Sequence, residues 1–237
     1  MTLPLNSSFL YPHDPISQAR YNMIEQQIRP WNVYDADVLS LLAHVRREDF
    51  VPAAYRSLAF MDMEIPLRGE PEEALRGGQC MLSPKVEARL LNDLKVQKHE
   101  RVLEIGAGSG FMAALLAHCA DQVVSLEIVP ELADMARENL QRAGIANAAV
   151  RLGDGARDAV PDGPFDVIVL SGSVAAVPPE LLALLRDGGR LAAIVGQEPV
   201  MRATFVRRSG ERFETTRPWD TNAARLVHFP EPSSFKF

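Results

Sequence analysis

The chain has 237 residues, of which 47% are hydrophobic and 24% charged, the balance of a globular fold with enough apolar residues for a core. Lys and Arg number 25 against 31 Asp and Glu, a formal charge of −6, which argues against bulk duplex binding, where basic side chains must release counterions. The longest nearly apolar stretch, 111–120, is far below the roughly 20 residues of a membrane span, and the start MTLPLNSSFL carries neither the basic nor the apolar run of a secretory signal.

In chain order, the first third reads as helical. Ile16, Met23, Ile24 and Ile28 predict a helix over 16–28, stopped at Pro30, and Val38, Leu41, Leu42 and Val45 form one stripe over 36–45. A Gly- and Pro-rich loop is expected over 66–78, the best candidate for a mobile or substrate-facing element. Ser83 and Pro84 then make a helix start, an N-cap followed by Pro at the first helical position, with the helix running to about Leu94.

From Arg101 short apolar strands alternate with helices. Strands are expected over 101–105, 122–128, 147–153, 165–170 and 189–195, and helices over 111–118, 131–143 and 179–185. Two late segments, 201–207 and 223–229, are expected to close the sheet as an antiparallel pair. Such alternation predicts an α/β fold of the Rossmann-like kind: a mostly parallel seven-stranded sheet with helices on both faces. The chain is therefore divided into a helical and loop extension, 1–95, covering the site, and a sheet domain, 96–237. Six Arg between 202 and 225 face Glu211, Glu214 and Asp220 and read as a solvated face. Cys80 and Cys119 make neither a disulfide framework nor a zinc spacing, and the five histidines are scattered; no metal is expected, and a reducing cytoplasmic compartment fits.

One motif carries chemistry. The first strand ends in Glu104 and Ile105 and runs into Gly106, Ala107, Gly108, Ser109 and Gly110 before a helix. Glycines there let the backbone turn sharply and let a ligand approach without interference from a Cβ. The second strand ends at Glu127 and Ile128, where an acidic residue accepts hydrogen bonds from two ribose hydroxyls. The spacing from Gly108 through Gly110 to Ala113 admits a dinucleotide as well as an adenosyl ligand. Against the dinucleotide stands Glu104, a carboxylate suited to a cationic group and unsuited to a pyrophosphate. Glu104 with the three glycines resembles motif I of the class I methyltransferases, which implies S-adenosyl-L-methionine as cofactor and S-adenosyl-L-homocysteine as product. The same resemblance implies that Asp154, with Gly155, meets the adenine and that Ser171 stands at the lip where methyl group and acceptor meet. Turn and strand-end readings of Asp154 and Glu127 remain beside these.

More of the chain resembles one family, the protein-L-isoaspartate (D-aspartate) O-methyltransferases. Residues 23–52 match the shape of the family's N-terminal helices, Gly78, Gln79 and Pro84 match its G-Q-T-I-S-x-P loop, and 102–111 match its cofactor loop. The resemblance implies methyl transfer to the carboxylate of L-isoaspartyl residues, giving an ester that collapses through a succinimide towards aspartate. It implies Gln79 as a substrate contact. Leu82 occupies the position of the family's active-site serine and Ser83 the next, so a one-residue slip makes Ser83 the second catalytic candidate; the other reading of Ser83 is a helix cap. Protein or peptide substrates carrying isoaspartate are the expected partners, without nucleic acid or membrane, for a monomer or weak dimer. Two other functions stay open: a related methyltransferase with another substrate, and a cofactor-binding protein without turnover.

Overall fold

The computed structural model describes residues 14–158, 160 and 162–231. The outer ends of the two expected units, 1–13 and 232–237, lie outside the described residues. Helix α1 (Pro15–Met23) starts because the Asp14 carboxylate accepts from the Ile16 and Ser17 amides. It continues as a π turn and a 3-10 turn until Asn32, whose φ of 61° is left-handed and ends it. Asp35 caps α2 (Ala36–His44) in the same way, through the Asp37 and Val38 amides.

The segment expected as a loop over 66–78 is more ordered than its Gly and Pro content suggests. Strand β1 (Ile65–Pro66) pairs antiparallel with β2 (Cys80–Met81), and between them lies a short helix, α3 (Pro71–Arg76). Pro71 at the helix start and Gly77 after its end punctuate this helix, so the residues read as loop formers act as its boundaries. Helix α4 (Pro84–Leu94) follows, with Ser83 at its N-cap position but with no capping bond from the hydroxyl.

The sheet consists of β3 (Arg101–Ile105), β4 (Gln122–Glu127), β5 (Ala148–Leu152), β6 (Phe165–Val174), β7 (Leu185–Gln197), β8 (Val200–Ser209) and β9 (Arg212–Thr221). Its order is β5-β4-β3-β6-β7-β8-β9, parallel as far as β7 and antiparallel for the last two strands. Helices α5 (Phe111–Cys119), α6 (Pro130–Arg142) and α7 (Pro179–Ala183) connect the parallel strands. Side chains alternate across the pleat. Val102, Val123 and Val167 join one apolar cluster with α4, α5 and α6, while Leu103, Val124 and Ile168 join a second with α7.

Two strand expectations are corrected. The closing strand is Arg212–Thr221, not 223–229. It is an edge strand on which Trp219 is the buried residue, so it shows no apolar alternation for sequence to find. Residues 223–229 are apolar for another reason: they lie across the carboxyl end of β6, where the Ser173 amide donates to Ala224 O at 2.8 Å and the Leu226 amide to Ser173 O at 2.9 Å. Strand β6 also continues to Val174 rather than ending at Leu170.

Residues 14–94 share the first apolar cluster with the sheet, through Met23, Leu42, Leu90 and Leu94. At the end of α4 the Arg190 guanidinium of β7 donates to Leu94 O at 2.6 Å and Lys95 O at 2.9 Å. Trp31 and Trp219 meet edge to face at 6.2 Å, and Trp219 Nε1 donates to Asp93 at 2.9 Å. No helix among the described residues is long and apolar enough to cross a membrane. Leu90 is fully buried where α4 meets the sheet, and Leu90→Ala is expected to cost about 2–5 kcal/mol. In urea, tryptophan fluorescence and circular dichroism should still report one coincident transition, because one cluster joins both parts.

Candidate active site

A cleft opens at the carboxyl ends of β3, β4 and β6. The order β4-β3-β6 makes this the place where chain connections leave in opposite directions, the point at which open α/β sheets bind ligands. Gly106 and Gly108 form its floor, Glu127 and Ile128 one wall, Asp154 and Gly155 another. Gln79, Cys80 and Ser171 stand opposite, and Arg225, Leu226 and Phe229 cover it. A smaller cavity lies behind, bounded by Leu82, Glu87, Glu104, Ala107, Ser109 and Met112. Cys80, Gly106, Gly108 and Ser171 border both.

The glycines divide by role. Gly106 has φ +89°, and a Cβ there would stand 2.9 Å from the Leu226 side chain. Gly108, with φ +53°, is similarly confined by Leu67 at 3.3 Å. Gly110 touches neither cavity. A Cβ on it would meet the Ala136 backbone of α6 at 3.1 Å, so its lack of a side chain serves helix packing. Gly155 is required by Ile105, whose Cγ2 would lie 2.4 Å from its Cβ.

Glu104 is fully buried. Ser125 Oγ donates to its Oε2 at 2.6 Å and Ser171 Oγ to its Oε1 at 2.7 Å. Burial pushes this carboxyl up to about 7, against the pull of the two serines, with a smaller push from Glu87 and Glu127. Glu127 is held rigidly: Gly108 N donates to Oε2 at 2.8 Å and Val129 N to Oε1 at 3.0 Å. A carboxylate oxygen carries two lone pairs, so each retains an acceptor site for a ligand hydroxyl.

Asp154 lines the cleft but is already engaged. Its Oδ2 contacts His228 Nδ1 at 2.7 Å and its Oδ1 accepts from the Ala156 amide at 2.9 Å. Burial opposes these bonds, yet they hold its carboxyl below the usual range. His228 belongs to the covering segment read from sequence as a strand, and nothing in its spacing to Asp154 signals the contact. Opposite Gly78, the Arg225 carbonyl comes so close that a Cβ would stand 2.4 Å from it.

Gln79 lines the cleft; Ser83 lines neither cavity, and its carbonyl accepts from the Val86 and Glu87 amides at the start of α4. Cys80 stands at the junction of the two cavities. Its thiol hydrogen-bonds Glu64, and burial first, then that neighbouring carboxylate, push the thiol well above its ordinary range. Glu64 in turn accepts from the Ala224 amide at 3.0 Å, tying β1 to the covering segment.

Comparison with known proteins agrees with this architecture. Residues 18–221 match the family model for protein-L-isoaspartate(D-aspartate) O-methyltransferase. A protein-L-isoaspartate O-methyltransferase of Methanoculleus marisnigri is 40% identical over 203 residues, 85% of this chain and 88% of that one. Its counterpart in Koribacter versatilis is 34% identical over 208 residues, 88% and 90% of the two chains. Among solved structures, a Plasmodium falciparum protein described as a putative protein-L-isoaspartate O-methyltransferase, in complex with S-adenosyl-L-homocysteine, superposes with a TM-score of 0.71. It is 18% identical, over 90% of this chain and 99% of that one, and so speaks for the fold alone. A match that begins in α1 and ends with β9 takes in the helical extension as well as the sheet, and by it the chain belongs to the protein-L-isoaspartate (D-aspartate) O-methyltransferase family.

Proposed function

We propose that the chain is an S-adenosyl-L-methionine-dependent carboxyl O-methyltransferase acting on L-isoaspartyl residues of damaged proteins. The observation that carries the cofactor half of this reading is Glu104. A carboxylate buried with only two hydroxyls for company is costly, and a cationic ligand lowers that cost. A sulfonium with an ammonium fits such a floor; a pyrophosphate does not. Gly106 and Gly108 give the ligand backbone to lie against, Glu127 offers acceptors to two ribose hydroxyls, and Ile128, Asp154 and Gly155 border the space left for a base. Ala107, Ser109 and Ser171 complete the inner end.

When bound, the cofactor supplies a methyl group made electrophilic by its sulfonium. An acceptor carboxylate has a pKa of about 4 and is already ionised at pH 7, so no side chain need remove a proton. Positioning and exclusion of water are then what the protein contributes. Gln79 is the proposed acceptor contact; Arg225, the one Lys or Arg among the described residues lining the cleft, is already paired with Glu231 at 2.9 Å and donates to Gly196 O at 2.9 Å. Cys80 stays a thiol beside the electrophile and so does not compete for the methyl group. Ser83 is proposed to serve the start of α4 more than the acceptor. The substrate is the family's; the compartment proposed is the cytoplasm and the assembly a monomer or weak dimer.

Incubation with methyl-labelled cofactor and an isoaspartyl peptide should yield a base-labile methyl ester, and the matching aspartyl peptide should not. Gly106→Val should abolish both cofactor binding and transfer, since any side chain there meets Leu226. Tight cofactor binding with no label on the isoaspartyl peptide would sink the substrate assignment.

The raised Glu104 carboxyl makes a second prediction. A cation favours its ionised form, so cofactor binding at pH 6 should release a proton, and affinity should rise with pH up to about 7. The slope should be at most about tenfold per pH unit, measured by calorimetry in buffers of different ionisation enthalpy. Glu104→Gln should flatten it. For the ligand-free protein the sign is opposite. Relative to the ordinary 4.5, the raised value contributes stability below about pH 4.5 that is lost as pH rises to about 7.

A further inference from the structure

Arg47 borders neither cavity, yet three residues that border the inner one are its partners. Its Nη1 pairs with Glu87, its Nη2 donates to Leu82 O at 2.6 Å, and its guanidinium lies 5.0 Å over the Phe111 ring. The third nitrogen, Nε, donates to Ala59 O at 3.0 Å. Arg47 is 1% exposed and Glu87 3%. Burial pushes the Glu87 carboxyl up, and the guanidinium against it draws it back. Each face of this one buried cation is therefore spent on a different segment: the 59 turn, the 79–82 strip, the first turn of α4 and the head of α5.

We propose that Arg47, with Glu87 as its counter-ion, is a positioning residue for the methyl acceptor. The strip that faces the cleft, Gln79 to Leu82, has an apolar side chain at 82, so its placement depends on its backbone. Paired with Cys80 and Met81, β1 holds one end of that strip. Arg47 holds the other, because a bond to the Leu82 carbonyl fixes the plane of the 82–83 peptide. A planar fork with donors in three directions makes these contacts at once, and an ammonium does not. This inference rests on the acceptor site proposed above, with Gln79 in the cleft and Cys80 at the junction of the two cavities.

Two variants test it. Arg47→Lys keeps the charge and loses the fork. The double variant Arg47→Met, Glu87→Met removes both charges, an exchange that buried pairs tolerate when both partners go, and still loses the hold on Leu82. In folded preparations of each, kcat on an isoaspartyl peptide should fall roughly 10- to 100-fold, the effect of a small misplacement, while in Arg47→Lys, which leaves Glu87 at the inner cavity, the Kd for S-adenosyl-L-homocysteine stays within about threefold. Amide exchange over 79–83 should quicken in the same samples. A pair that serves stability alone would lower the melting temperature and leave both readouts at wild-type values in either variant, and that result overturns the proposal. If the wild-type enzyme proves inactive on the peptide, the acceptor reading fails; unchanged exchange over 79–83 would then overturn the positioning role separately.

Discussion

A single buried carboxylate organises the carboxyl end of the sheet. Glu104 on β3 stands in register with Ser125 on β4, and the two hydroxyls of Ser125 and Ser171 close on it from the strands at either side. It thus links three central strands at the point where the chain turns away in opposite directions. A charge in that position is unfavourable to folding and favourable to a cationic ligand. The fold tolerates it because two parallel neighbours place short hydroxyl side chains at the right height. Everything else about the site is arranged around that group: glycines above it, a second carboxylate at the end of β4, and a cover of apolar residues.

Two segments from opposite ends of the chain complete the enclosure. From the N-terminal side, Arg47 lies over the Phe111 ring of α5 and Phe50 meets the same ring edge to face at 5.4 Å, while Arg47 also holds Leu82 and Glu87. From the C-terminal side, residues 223–229 cross the cleft, pinned by Ser173 and Glu64 and then turning at Val227 and His228, whose φ of 67° is left-handed. Leu226 lies where Cβ atoms on Gly106 and Gly172 would be, at 2.9 and 2.8 Å. Close packing explains why both positions are glycine as well as any ligand does.

Within the strip 79–83, residues Cys80, Met81 and Leu82 stand where the family's loop has Thr-Ile-Ser, and their surroundings explain how they are accommodated. Cys80 is held by Glu64, and Leu82 is buried against Met112 at the inner cavity. The polar side chains of the strip, apart from the Cys80 thiol, are Gln79, which lines the cleft, and Ser83, which lines neither cavity. Orientation therefore falls to groups that grip the backbone: Ala74 O accepts from the Gln79 amide, β1 pairs with Cys80 and Met81, and Arg47 holds the Leu82 carbonyl.

The alternation of short apolar strands with amphipathic helices from Arg101 onward determined the parallel sheet, because a strand buried on both faces must be apolar along its length. The placing of Glu104, Gly106, Gly108 and Glu127 around one cleft was legible for a similar reason: they lie at the carboxyl ends of two adjacent parallel strands, each at a strand–turn–helix junction. Three features were not legible. The edge strand β9 is exposed on both faces from Arg212 to Pro218, so it carries no alternation to read. The apolar run at 223–229 looks like a strand, but its residues are buried by the cleft rather than by a ladder. His228 beside Asp154 and Arg47 beside Leu82 join residues 74 and 35 positions apart in the chain. Spacing along a sequence carries no information about such pairs; only the packed sheet, by bringing the helical extension and residues 223–229 to the carboxyl ends of its strands, decided them.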